Sequence, residues 1–263
     1  MRLKEQRSPS EPILPTQPEH PASPGARARL RQQARRVVYR SFERSPSLYC
    51  GALRRRVHTV NVVDNSTDLV IEGFPRSGNS FAREAIIHAN PGIRIASHVH
   101  QAAHALQAVR LGVPTVVLVR DPDAAIASAM FLDEFCSIDA SLRWYRRFHR
   151  TVWPHRGGLV VATFDEVVTD LGAVIARING RFGTSLRPFR HTSEGERAVF
   201  ARLEEAATDG AVVDEYAVAR PSTVRAALAP ALFAAVRGAD PDLRAACLAE
   251  KTRFARLAEG PSG

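Results

Sequence analysis

With 263 residues, 45% of them hydrophobic and 24% charged, the chain has the composition of a folded protein with one substantial core, which excludes wholesale disorder. No apolar run reaches the roughly 18 residues that span a bilayer, so no membrane-spanning helix is expected. The net charge of +9 is carried by residues 1–59, which hold 13 Lys or Arg against 4 Asp or Glu; residues 60–263 hold 23 against 23, and such a neutral folded part argues against a nucleic-acid enzyme.

Residues 1–25 contain six prolines with scattered Ser and charge, are expected to be disordered, and show no apolar signal-peptide core. Ala26 to about Glu43 (ARARLRQQARRVVYRSFE) reads as a basic helix, within an extension reaching residue 60. Such a helix suits peripheral contact with an anionic membrane or partner surface, or loose packing on the core. Cys50, Cys136 and Cys247 are odd in number and widely spaced, suggesting neither a disulfide framework nor a zinc site; a reducing cytoplasm is the expected setting.

An α/β domain is expected over residues 61–263, with its core beginning near Leu69. LVIEGF (69–74) is an apolar run ending in a Gly-containing turn, followed by the helical pattern SFAREAIIHA. IRIASHV (93–99) is a strand candidate and QAAHALQAVRL (101–111) a helix. TVVLV (115–119) is a β-branched run of the kind buried in parallel sheets, and PDAAIASAMFL reads as a helix with proline in its first turn. A helix around 139–152, a strand LVVATF (159–164) and a single helix over EVVTDLGAVIARINGRFG follow, and the last 60 residues read as helical. Alternating strands and helices predict a three-layer α/β/α fold with a central parallel sheet, a P-loop and a helical C-terminal part.

The first strand-to-helix turn of such a sheet is where an anion is expected, because unpaired N–H groups and the helix dipole point there. GFPRSGNS (73–80) matches the nucleotide-hydrolase pattern G-x-x-x-x-G-K-[ST] except that Asn79 stands at the lysine position, while a cation, Arg76, appears three residues early. Gly78 permits close approach, and Ser77, Asn79 and Ser80 add side-chain donors. The strand VVLV ends in Arg120-Asp121-Pro122 without a clear magnesium-holding acid. Two separated cations, Arg76 and Arg120, suit a ligand with two phosphate clusters better than a magnesium-clamped polyphosphate.

These residues resemble the PAPS-dependent sulfotransferases, bacterial-type members included. GFPRSGNSF (73–81) is similar to their 5′-phosphosulfate loop, P-[KR]-S-G-[TS]-[TS]-[WFL]. VRDPDAAIAS (119–128) resembles their 3′-phosphate segment, with Arg120 and Ser128 at the family's spacing, and residues 160–183 resemble their later strand and helix. The resemblance covers roughly residues 68–260. It implies a P-loop NTPase-like fold and sulfuryl transfer from PAPS without a required metal. Arg76 would contact the 5′-phosphate and the moving sulfuryl group, Ser77, Gly78, Asn79 and Ser80 would cradle the phosphosulfate, and Phe81 would sit near the adenine. Arg120 and Ser128 would bind the 3′-phosphate. Phe164 stands where the family often has Tyr, and Arg220 in ARPSTVR is either a further 3′-phosphate contact or a helix-start arginine.

Transfer to a hydroxyl or amine needs a proton acceptor. His98, at the end of the IRIASHV strand, occupies the position of the family's K-T-H, with Ala96 in place of the lysine. His100 is its rival, on the same side if the strand continues. His104 reads as a surface histidine, and Glu84 as either an orienting group or a helix-face carboxylate paired with a neighbour. Phe131, Phe135, Trp144, Tyr145, Phe148 and Trp153 permit an apolar or sugar acceptor, although helical spacing favours core packing. A small-molecule or carbohydrate acceptor and no nucleic acid are expected. The rival readings are a P-loop kinase or NTPase and a non-catalytic nucleotide-binding adaptor.

Overall fold

The computed structural model describes residues 45–56, 61–130, 137–209, 212–213, 220 and 223–259, all within one compact unit, Phe42–Gly263. The leader 1–25, the basic segment 26–43, Phe131, Phe135 and Cys136 lie outside the described residues. The unit begins earlier than residue 61. Helix α1 (Pro46–Arg56) buries Tyr49, Cys50 and Leu53, and its Ser47 hydroxyl donates to Gln107 at 2.9 Å.

Four short parallel strands form the sheet in the order β2-β1-β3-β4: β1 (Leu69–Gly73), β2 (Ile95–Ser97), β3 (Thr115–Val119) and β4 (Val160–Thr163). Side chains alternate across it, so β3 and β4 are each split between two cores. Leu69, Ile71, Val116, Leu118, Val160 and Ala162 face one way, onto α2 (Asn79–Ala89), α6 (Phe164–Thr169), α7 (Leu171–Phe182) and α8 (Ser193–Ala206). Val117, Val119 and Val161 face the other, onto α3 (Ala102–Arg110), α5 (Ile138–Val152) and α10 (Pro241–Ala258). Both faces are thus covered, which is why TVVLV shows no polar alternation. Helix α4 (Pro122–Ala129) and helix α9 (Thr223–Arg237) complete a third cluster with Phe74 and Tyr145.

Several expected boundaries move. β2 is only three residues long and stops before His98. Residues 164–182 form two helices, because Asp170 leaves the helical conformation (φ −148°, ψ 59°) and caps α7 by accepting from the Ala173 N–H at 3.1 Å. α6 has its own capping box, Thr163 with Glu166. The described residues of the C-terminal part include helices α8, α9 and α10 and a small antiparallel pairing of Thr208–Asp209 with Val212–Val213.

With β2 and β3 on opposite sides of β1, the chain leaves β1 and β2 over opposite faces. The resulting crevice lies at the carboxyl ends of the strands, the usual ligand position in open α/β sheets. The segments after β1, β2, β3 and β4 all begin there.

Candidate functional site

The loop after β1 is shaped by two close approaches. A Cβ on Gly73 would come within 2.6 Å of the Leu118 carbonyl, so the contact between β1 and β3 requires glycine. After the buried Phe74 the chain turns, with Ser77 N–H donating to Phe74 O at 3.2 Å. Arg76 (φ 65°) and Gly78 (φ 97°) take left-handed conformations. Gly78 is the N-cap of α2 and provides no side-chain cap, so the first N–H groups of that helix face the loop without one. The Ser77 hydroxyl and the Asn79 Oδ1 are buried and have no hydrogen-bond partner among the described residues. A buried hydroxyl left in this way is costly unless something else accepts from it, and an anion seated in the loop would do so.

Two guanidinium groups converge on the loop. Arg76 Nε donates to the Ser128 hydroxyl at 3.1 Å. Arg120, directly after β3, donates from Nη1 to the Arg76 carbonyl at 2.8 Å. Its guanidinium lies over the Phe164 ring, 3.9 Å from the centroid, and its own carbonyl accepts from the Tyr145 hydroxyl at 2.7 Å. Burial pushes the Arg120 guanidinium below its ordinary value, with Asp165 and Asp121 opposing, yet an arginine stays protonated at neutral pH. Phe164 therefore does something a tyrosine is not needed for: it carries the guanidinium on its face and also walls off Gly78, whose Cβ would meet the ring at 3.3 Å.

The histidine segment departs from the expected strand. β2 ends at Ser97, and both His98 (φ 66°) and His100 (φ 55°) are left-handed, so the even spacing of an extended strand does not apply to them. The His98 ring is bracketed by two hydroxyls, Ser80 Oγ at 2.9 Å from Nε2 and Ser97 Oγ at 2.7 Å from Nδ1. Burial first, then the charges of His100 and Arg83, push it down to about 4, so the ring is neutral at neutral pH. His100 instead turns its Nδ1 to the Gly73 carbonyl at 2.9 Å.

His104 is not on the surface. It is fully buried, with Nδ1 2.7 Å from Glu72 Oε1. The Val63 N–H donates to its Nε2 at 2.9 Å, which assigns the ring proton to Nδ1. Glu72 is itself fully buried, and sequence reasoning passed over it inside an apolar run. A single carboxylate in a strand covered on both faces was the available signal, because it demands partners.

The remaining candidates have partners of their own. Glu84 pairs with Arg83 and, at 2.7 Å, with Arg202, the neighbour-pairing role. Phe81 lies in the core, stacked on His191 at 5.9 Å and edge-on to Phe189. Asp121 caps α4 by accepting from the Ala124 N–H at 3.1 Å. Arg220 is bonded to Glu204. Tyr145 and Phe148 are buried, while Trp144 is partly exposed and meets Phe74 edge-on at 5.2 Å. Burial raises the thiols of Cys50 to about 11 and Cys247 to about 12, so neither is a nucleophile at neutral pH.

The candidate site is thus a strand–loop–helix turn flanked by two guanidiniums and a neutral imidazole at the carboxyl edge of a parallel sheet. No family model matches the chain, and no curated protein matches it. Among solved structures, the chain is similar to the mouse sulfotransferase SULT7A1 complexed with PAP, at 12% identity and a TM-score of 0.42 over 75% of this chain and 92% of that one. It is also similar to retinol dehydratase in complex with androsterone and inactive cofactor PAP, at 13% identity and a TM-score of 0.41 over 72% of this chain and 86% of that one.

Proposed function

We propose that the chain is a sulfotransferase that moves a sulfuryl group from PAPS to a hydroxyl or amine of a small-molecule or carbohydrate acceptor. The observation that carries this reading is the hydrogen bond between His98 and Ser80, which sets a neutral base against the first turn of α2, beside the loop that holds Arg76 and accepts a hydrogen bond from Arg120. PAPS would supply an activated sulfuryl group and two separated anionic ends, and the residues present fit both. Ser77, Gly78, Asn79 and Ser80 would form the cradle for the 5′ end, where the Ser77 hydroxyl would find an acceptor. Arg76 would contact that end and hold charge as it develops on the departing oxygen. Arg120 and Ser128 would bind the 3′-phosphate.

An acceptor hydroxyl would replace the Ser80 hydroxyl at His98 Nε2, inside the 2.6–3.2 Å range that proton transfer requires. Ser80 is then free to donate to the donor's oxygens. A base held near 4 is weak, but negative charge in the cradle favours the imidazolium and raises its value toward working pH.

The test is thermal stabilisation by adenosine 3′,5′-bisphosphate without magnesium, set beside ATP with magnesium, followed by label transfer from PAPS to a panel of phenols, amines and saccharides. Stabilisation by the bisphosphate and label transfer to an acceptor are the expected results. Stabilisation and turnover with ATP and magnesium alone would make this a kinase-like protein. Bisphosphate binding without transfer to any acceptor would leave an adaptor.

A further inference from the structure

We propose that Glu72 is a positioning residue for His98, acting through the backbone of the segment that follows β2; this rests on the reading of His98 as the base. The Glu72 side chain leaves β1 one residue before Gly73 and reaches under the neighbouring segment. Oε1 accepts from the Val99 N–H at 3.1 Å and from His104 Nδ1 at 2.7 Å, and Oε2 accepts from the His100 N–H at 3.0 Å. These donors account for most of the acceptor capacity of one carboxylate. The far side of His104 is fixed by Val63, so the carboxylate is braced from behind.

The braced segment is strained. His98 and His100 both sit in the left-handed region, which residues other than glycine rarely adopt. Without an acceptor for the Val99 and His100 N–H groups, the backbone would relax toward extended geometry. That would swing the His98 ring away from Ser80, because the side chain follows φ. Burial alone would raise the Glu72 carboxyl, but the His104 hydrogen bond, the nearby His100 and the Val99 N–H hold it below its ordinary value, so the acceptor stays ionised. The charged groups facing His98 are His100, Glu72, Arg83 and Glu84.

The experiment compares wild type with Glu72→Gln, which keeps the volume but turns an NH2 toward N–H donors. The affinity for adenosine 3′,5′-bisphosphate is expected to stay within about twofold, while kcat falls about 10²-fold, the scale of a 1 Å misplacement. In a His98→Ala background the same substitution is expected to cost nothing further; an additional loss there would mark Glu72 as merely structural and overturn the proposal. A second readout needs no activity: the His98 imidazole is titrated by NMR. Release of the segment moves its midpoint from about 4 up toward 6.5 in Glu72→Gln. A midpoint that stays or falls would show that the carboxylate acts only as a charge, which overturns the proposal even if wild type proves to transfer sulfuryl groups. If wild type transfers nothing, the proposed function fails, and the titration still decides whether Glu72 positions His98. Should Glu72→Gln fail to fold, Glu72→Asp retains the charge but shortens the reach, and the same rise is expected.

Discussion

His98 Nε2 lies 2.9 Å from Ser80 Oγ, so the end of β2 and the start of α2 meet through one hydrogen bond at the mouth of the loop. His98→Ala is expected to leave bisphosphate affinity nearly intact and to reduce transfer by about 10²–10⁴, the range for a positioned general base. Ser80→Ala should weaken both, since the hydroxyl belongs to the cradle as well. Calorimetry and label-transfer rates separate the two. Full activity in His98→Ala with none in His100→Ala would transfer the role to the ring that now faces Gly73.

Arg120 is held between the Phe164 ring and the Arg76 carbonyl. Arg120→Ala is expected to weaken adenosine 3′,5′-bisphosphate by about 1.5–3 kcal/mol, the scale of charge-assisted hydrogen bonds. Phe164→Leu should cost about 0.5–1 kcal/mol, the cation–π contribution alone. An equal loss for adenosine 5′-phosphate, which has no 3′-phosphate, would contradict the assignment of Arg120 to that group.

Acid should unfold the protein early. His98 and His149 are both pushed from 6.5 to about 4 by burial, so the unfolded chain binds more protons than the folded one between those values. Stability is therefore complete above about 6.5 and is lost as pH falls toward 4, each ring contributing on the order of 3 kcal/mol at most. Glu72, lowered as well, acts in the same direction below its ordinary value of 4.5. Urea midpoints from pH 7 to 4 measure this, and a flat profile would refute the neutral burial of both rings. His149→Phe should flatten the profile in part, because that ring is far less bound to the crevice than to Tyr145 and Phe254.

Gly73→Ala and Gly78→Ala should fail for different reasons. The first brings a methyl group 2.6 Å from the Leu118 carbonyl and is expected to destabilise by about 1–3 kcal/mol through strand displacement. The second strains a φ of 97° and pushes on Phe164, so bisphosphate binding should fall together with stability. Wild-type denaturation midpoints for Gly73→Ala would show that β1 and β3 can part without cost.

The sheet and the loop were readable because their causes are local. TVVLV is a strand over the residues expected, since a β-branched run flanked by turns has few other uses. The end of β2 was not readable, because what stops it is a carboxylate on another strand accepting the Val99 and His100 N–H groups. His104 read as exposed for the same reason: its partner was a single Glu inside LVIEG. The break at Asp170 was legible in Thr163-x-x-Glu166 and in an aspartate ahead of Leu171, but the continuing apolar period concealed two capped helices as one. Arg76 and Arg120 stand out in the sequence by their places in the first loop and at the end of VVLV, while the Phe164 face beneath Arg120 depends on how β4 ends.

Arg76 is gripped at both ends, its carbonyl by Arg120 and its Nε by Ser128. The loop after β1 is therefore tied to both the turn after β3 and α4, and under the proposed function a ligand with two anionic ends would meet them as a chelate. Once one end is seated, the other binds within the same molecule, at an effective concentration that can reach the millimolar range for a short tether. Two separate monophosphates receive no such advantage. If the proposed ligand is right, half-molecules such as adenosine 5′-phosphate should compete far more weakly than the whole bisphosphate, so screening the site with fragments would underestimate it.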